Sequence, residues 1–153
     1  MNTKKVLFVC IENSNRSQMA EAFGKIHSPS LSLPSRESGN PIQIFSAGSK
    51  SSGKINEKAI EVMKEVGYDL TKHKSKSLHE VIHSLPEGEG RGGAPAFDFI
   101  ITMGCGDACP FIPAKHRLDW QIPDPRNMNV EEFRKVRDEI EERVKSLLRS
   151  INK

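Results

Sequence analysis

The stretch Val6-Leu7-Phe8-Val9-Cys10-Ile11-Glu12-Asn13-Ser14-Asn15-Arg16-Ser17 decides how the rest of this chain is read. The apolar run Val6-Leu7-Phe8-Val9 predicts a short buried strand leading into Cys10. A helix then begins near Ser17, with apolar periodicity over Gln18 to Ile26, so that strand, tight polar loop and helix follow in direct succession. Such a loop has too few residues to do anything but wrap. Its backbone N–H groups point inward as a nest at a helix N-terminus, and Arg16 offers a planar fork to a tetrahedral anion. The same positive field favours a thiolate, so Cys10 is read as a nucleophile facing a bound anion. Glu12, Asn13, Ser14, Asn15 and Arg16 line the anion loop in this reading, and Asn13, Ser14 and Ser17 carry amide and hydroxyl groups that hold the loop or donate to sulfur. A cysteine ending a buried strand is often only a small apolar residue. The order of strand, turn and helix argues against that here.

Working outward, Ile42 to Phe45 predicts a second strand, with Ser46-Ala47-Gly48 as the turn after it. Ile60, Met63 and Val66 mark one face of a second helix ended by Gly67, and Leu78, Val81 and Ile82 a short third one. Phe97 to Thr102 predicts another buried strand. In the last segment Val130, Phe133, Val136, Ile140, Val144, Leu147 and Ile151 recur every three or four positions with charges between them, which predicts a long helix over Val130 to Ile151. Strands alternating with helices make this an α/β chain with a small parallel sheet covered by helices on both faces. Ligands of such sheets sit outside the carboxyl ends of the strands, where Cys10, Ser46 and the segment after Thr102 all fall. The Ser- and Pro-rich stretch 28–41 and the Gly-rich stretch 86–95 interrupt the pattern and are expected as loop insertions in a single domain spanning 1–153.

Composition narrows the function classes. With 153 residues and 36% hydrophobic content the chain fits one core, and no stretch approaches the roughly 20 apolar residues of a membrane span. The start Met-Asn-Thr-Lys-Lys runs straight into a strand rather than a secretory leader, so a cytoplasmic protein is expected. A net charge of +3, from 23 basic and 20 acidic residues mixed along the chain, is too mild and too aromatic-poor for a nucleic-acid binder. The one basic cluster, Lys72 to Lys76 with His73, is either a solvated loop or a neighbour of the anion site.

A second chemical cluster follows the third strand. Cys105 and Cys109 lie four residues apart among glycines and a proline. Such a pair closes a small disulfide ring if its Cα atoms come within about 7 Å. It could equally be two buried thiols or half of a zinc site, for which His116 is the nearest further ligand and no fourth is evident. An odd count of three cysteines in a reducing compartment points to chemistry rather than to structural bridges, and three thiols at one sheet edge fit a relay of thiol–disulfide exchanges. Asp124, between Pro123 and Pro125, is the natural general acid over the anion site, although an Asp-Pro pair is also a common turn former.

Taken together, Cys10 to Glu21, Ser46-Ala47-Gly48, the Cys105 and Cys109 pair and Asp124-Pro125 resemble the thioredoxin-coupled arsenate reductases, which are built on the low-molecular-weight protein tyrosine phosphatase fold. The resemblance runs over nearly the whole length apart from the two insertions. It implies a four-stranded parallel sheet, a monomer, no cofactor and no resident metal, arsenate as substrate and thioredoxin as reductant. In that pattern Cys10 attacks arsenic with help from Arg16, Ser17 and Asp124, Cys105 attacks the sulfur of Cys10, and Cys109 resolves the bond. Asn13, Glu21 and Ser46 match a loop-supporting cluster that binds potassium in some members, with Lys76 at the position of an aspartate ligand. Lys76 is therefore expected to replace the ion. Two departures stand out: Glu12 occupies a position usually held by glycine, and three residues separate the redox cysteines where many members have more. The alternative is a low-molecular-weight tyrosine phosphatase working through a phosphocysteine at Cys10. It leaves Cys105 and Cys109 without a role, and Arg126 replaces the aromatic residues that commonly flank its acid.

Overall fold

The computed structural model describes residues 4–28, 42–83, 97–104 and 114–151. The expected insertions therefore lie, apart from Ser28 at the first and nothing of the second, outside the described residues, as do Cys105 and Cys109.

The order is β1 (Lys4–Cys10), α1 (Arg16–His27), β2 (Ile42–Gly48), α2 (Glu57–Glu65), α3 (Leu78–His83), β3 (Phe97–Thr102), β4 (Ala114–Asp119) and α4 (Val130–Ile151), with single 3₁₀ turns at Leu70–Lys72 and Pro125–Asn127. The four strands form one sheet in the order β2-β1-β3-β4, every pair parallel. Along β1 the side chains alternate between two apolar layers. Val6, Phe8 and Cys10 face a layer built from α1, α2 and α4, including Met19, Phe23, Met63, Phe133 and Ile140. Leu7 and Val9 face the other, where Leu78 and Val81 of α3 pack with Phe97 and Ile100. A strand buried on both sides cannot show polar alternation, which is why Val6 to Val9 is a continuous apolar run.

Two expectations need correction. Ser46-Ala47-Gly48 is not a turn: the three residues complete β2, paired with Phe8, Val9 and Cys10 of β1. Extending the strand puts Ser46 beside the polar loop and Gly48 beneath it. The fourth strand had no residues assigned to it, because Ala-Lys-His-Arg-Leu-Asp carries a single large apolar residue and is exposed along most of its length. An outer strand needs no buried face on both sides, and its charges also guard a free edge. The helices α3 and α4 and strand β3 fall where the periodicity puts them, while α2 starts earlier, on the Asn56 cap, and closes before Val66.

Candidate active site

Cys10 ends β1, and residues 11–15 carry the chain across the carboxyl edge of the sheet into α1. The backbone of that loop is held from behind. The carbonyls of Cys10, Ile11, Glu12 and Ser14 accept N–H groups from Ser49, Lys50, Ser52 and Asn56, at 2.7 to 3.2 Å. In a trans peptide the N–H opposes the preceding carbonyl, so the N–H groups of residues 11, 12, 13 and 15 turn away from this backing strand, as the nest requires. Asn13 adopts a left-handed φ of 52°, a conformation asparagine tolerates. Gly48 is the floor of the turn: a Cβ there would meet the Ile11 carbonyl oxygen at 2.7 Å and Asn13 N at 2.9 Å.

The side chains of the loop form a directed chain of hydrogen bonds. Asn13 Nδ2 donates to Ser17 Oγ at 2.8 Å and to Ser46 Oγ at 3.0 Å. Because Ser17 accepts there, its own proton is free for Cys10 Sγ, 2.9 Å away. Ser46 in turn donates to Glu21 Oε1. Asn13 Oδ1 accepts from the Lys76 backbone N–H at 2.7 Å and from Gln18 Nε2 at 2.8 Å. Gln18 Oε1 is then left to accept from His73 Nδ1 at 2.8 Å, and the Tyr68 hydroxyl and His73 Nε2 share a hydrogen bond at 2.6 Å.

Glu21 is the anionic centre of the network. Lys25 Nζ lies 2.6 Å from Oε2, Lys76 Nζ 3.4 Å from Oε1 and His73 Nδ1 3.7 Å from Oε2. Burial alone would push this carboxyl up, but Lys76, then His73, and hydrogen bonds from Lys25 and Ser46 outweigh it and hold Glu21 below the usual carboxylate range. Burial pushes His73 down, offset in part by Glu21.

A cleft opens over Cys10, lined by Ile11, Glu12, Ser14, Asn15, Arg16, Asp124 and Arg126. The Arg16 side chain is buried, and its Nη1 donates to the Ile122 carbonyl at 3.0 Å. Gly104, just past β3, has a φ of 76° and sits so close that a Cβ on it would lie 3.0 Å from the same nitrogen. Asp124 caps the 3₁₀ turn Pro125–Asn127, its Oδ1 accepting from the Arg126 N–H at 3.0 Å. That bond leaves Oδ2 facing Arg16 Nη2 across 3.9 Å. Asp124 thus caps a turn and lines the cleft at once. Glu12, the unusual carboxylate, pairs with Arg126 Nη1 at 3.1 Å.

The profile of the low molecular weight phosphotyrosine protein phosphatases matches residues 5–86 and 100–153 of this sequence. The chain belongs to that family. Among curated relatives, an arsenate reductase 2 of Staphylococcus epidermidis is 34% identical over 151 residues, covering 95% of this chain and 97% of its own. A solved structure titled an arsenate reductase in the phosphate binding state superimposes with a TM-score of 0.71 at 33% identity, over 97% of this chain and 98% of that one. A thioredoxin-dependent arsenate reductase of Corynebacterium glutamicum superimposes with a TM-score of 0.68 at 31% identity; this chain spans 62% of its length.

As a member of the low molecular weight phosphatase family the protein brings Cys10, Glu12, Ser14, Asn15, Arg16 and Asp124 to one cleft, with Asn13, Ser17, Glu21, Ser46 and Lys76 packed behind it. Cys105 and Cys109 fall outside the described residues. Of the basic cluster, His73 and Lys76 join the site while Lys72 and Lys74 are exposed. Gln18, which ties Asn13 to His73, carried no signal beyond its place on a helix. Among the described residues no group of three or more metal-ligating side chains gathers, and His116 stacks instead on Phe99. No helix among them is long and apolar enough to cross a membrane.

Proposed function

We propose that this protein is an arsenate reductase that moves two electrons outward through Cys10, Cys105 and Cys109. The anion loop and Arg16 hold the arsenate dianion, and Cys10 attacks arsenic as the thiolate. Asp124 gives its proton to the departing oxygen, which leaves as water; the adduct is still arsenic(V). The Cys105 thiolate then attacks the Cys10 sulfur. The sulfur–arsenic bond breaks with its electron pair going to arsenic, so arsenite leaves as arsenic(III) and a Cys10–Cys105 disulfide remains. Cys109 attacks Cys105, freeing Cys10 and leaving a Cys105–Cys109 disulfide for a thioredoxin-type dithiol to reduce. Phosphate fits the same loop, but a phosphorus centre accepts no electron pair here. Selectivity therefore lies in the second thiol.

The observation that carries this reading is Gly104. Gly104, the residue before Cys105 in the sequence, lies against the Arg16 guanidinium, where a Cβ would stand 3.0 Å from Nη1. Similarity to arsenate reductases over nearly the full length supports the substrate, and the Corynebacterium neighbour supports the reductant. Lys76 serves in place of a monovalent cation at Glu21, and the protein works as a monomer in one domain without a cofactor.

The test is mass spectrometry after arsenate treatment without reductant. A loss of two hydrogens mapping to the peptide that holds Cys105 and Cys109 is expected. Cys105→Ser separates the phosphatase alternative, since a phosphatase keeps its turnover whereas the reductase stops after one adduct. Full arsenite production by that variant would end the proposal.

A further inference from the structure

The Glu12–Arg126 pair solves a problem that the sequence raises and then creates a new property. A carboxylate in an anion loop repels its ligand unless a cation answers it, and Arg126 does so at 3.1 Å. The two partners stand on different walls of the cleft: Glu12 on the loop after β1, Arg126 on the turn that Asp124 caps. Their depth differs from that of the chemistry. Cys10 is 3% exposed and the Arg16 side chain 7%, whereas those of Glu12 and Arg126 are 37% and 55% exposed. The pair thus stands nearer the solvent than the cleft floor.

We propose that the Glu12–Arg126 ion pair is a bar across the cleft mouth that admits free inorganic oxyanions and turns away phosphomonoesters. The proposal deepens the reductase reading and rests on it for the identity of the inorganic substrate. An inorganic oxyanion lies wholly on the nest, with no atom beyond its four oxygens. In a phosphomonoester the leaving oxygen must stand opposite Cys10 Sγ, toward Asp124, and its organic group must run out between Arg126 on one wall and Glu12 on the other. The closed pair stands in that passage. Binding an ester therefore breaks the pair, a cost of the size an exposed ion pair carries and one that the free anion does not meet. The bar thus suppresses at the level of entry the activity that the shared anion loop would otherwise retain, and it keeps Cys10 from being consumed by cellular phosphoesters.

The measurement is kcat/KM for 4-nitrophenyl phosphate multiplied by the inhibition constant for inorganic phosphate, in the full-length protein, in Glu12→Gln, in Arg126→Ala and in the double variant. Both ligands are dianions on the same loop, so the general effect of removing a charge cancels in this product. Each single substitution is expected to raise it about three- to fivefold, the reach of one exposed ion pair, and the double variant to rise no further than the larger single. In the unaltered protein the product should climb between about 20 mM and about 500 mM sodium chloride, as screening weakens the pair. The salt series needs no substitution and so stands even if a variant misfolds. A product unchanged in the single variants, single effects that multiply in the double, or a flat salt series overturns the bar. Arsenate reduction is followed separately: its absence in the unaltered protein sinks the reductase reading while leaving the ester-to-phosphate product to judge the bar.

Discussion

The hydroxyl of Ser17 stands 2.9 Å from the sulfur of Cys10, and Asn13 Nδ2 donates to the same oxygen, which leaves the hydroxyl proton available to the sulfur. A hydrogen bond to a charged partner contributes about 1.5–3 kcal/mol, and about 1.4 kcal/mol is a factor of ten. Ser17→Ala should therefore slow alkylation of Cys10 by iodoacetamide at neutral pH about tenfold and slow arsenate turnover by a similar factor. Unchanged alkylation would show that the sulfur does not depend on this hydroxyl.

Asp124 is oriented by its bond to the Arg126 N–H, which leaves the other carboxylate oxygen toward Arg16. In Asp124→Asn the cap survives, because the amide oxygen still accepts, but the proton is lost. Arsenate turnover should drop by about 10²–10⁴, with little change in the thermal midpoint. A large fall in that midpoint would mean the carboxylate is needed for the turn and not for proton transfer.

Lys76 Nζ already lies beside Glu21, where a monovalent cation would have to bind. Replacing sodium by potassium at equal ionic strength should leave the rate unchanged, and Lys76→Asp should make it rise with potassium. A clear potassium activation of the unaltered protein contradicts the assignment.

Two buried groups set the acid limb of stability. Glu21 has its folded pKa lowered, so the stabilisation it gives is complete above its unfolded value of about 4.5 and is lost as pH falls through the folded one. His73 has its folded pKa lowered as well, but as a base: below its unfolded value of about 6.5 the unfolded chain takes up a proton that the folded ring refuses, so stability falls with pH from there downward. Urea midpoints should decline from about pH 6.5 and again below about pH 4.5. His73→Gln should flatten the first decline and Glu21→Gln the second.

Gly48→Ala pushes a methyl group into the backbone of the anion loop, against the Ile11 carbonyl oxygen and Asn13 N. Overpacking of this kind costs about 1–3 kcal/mol, and the displaced loop should raise the phosphate inhibition constant at least tenfold. A variant that binds phosphate normally would mean the loop can shift at no cost to the nest.

Much of the fold is legible in the sequence, for physical reasons that differ from residue to residue. Val6 to Val9 and the Val130–Ile151 face are written in hydrophobicity because burial selects it. Cys10, Arg16 and Asp124 are written in chemistry, since few other side chains do their work. The strand β4 is legible in neither, as an exposed edge has no apolar pattern to show. Partnerships made across long stretches of chain were equally hidden. Arg126 is a surface arginine in the sequence and becomes the counter-charge of Glu12 only when two loops meet. Gln18 becomes the link between Asn13 and His73 only once α1 lies beside residues 73–76. Ser46 was placed in the right neighbourhood on the wrong element, because a strand's last polar residues look like a turn until the neighbouring strand is seen to continue beside them.

The polar outer strand has one more consequence. With Lys115, His116 and Arg117 exposed along it, this border of the sheet repels a fifth strand rather than recruiting one, so no visiting protein is captured there by backbone pairing. Under the proposed relay a redox partner would approach end-on, at the rim where β1 and β3 finish and where Cys10 stands. Delivery of reducing power and delivery of substrate would then share one doorway and take turns.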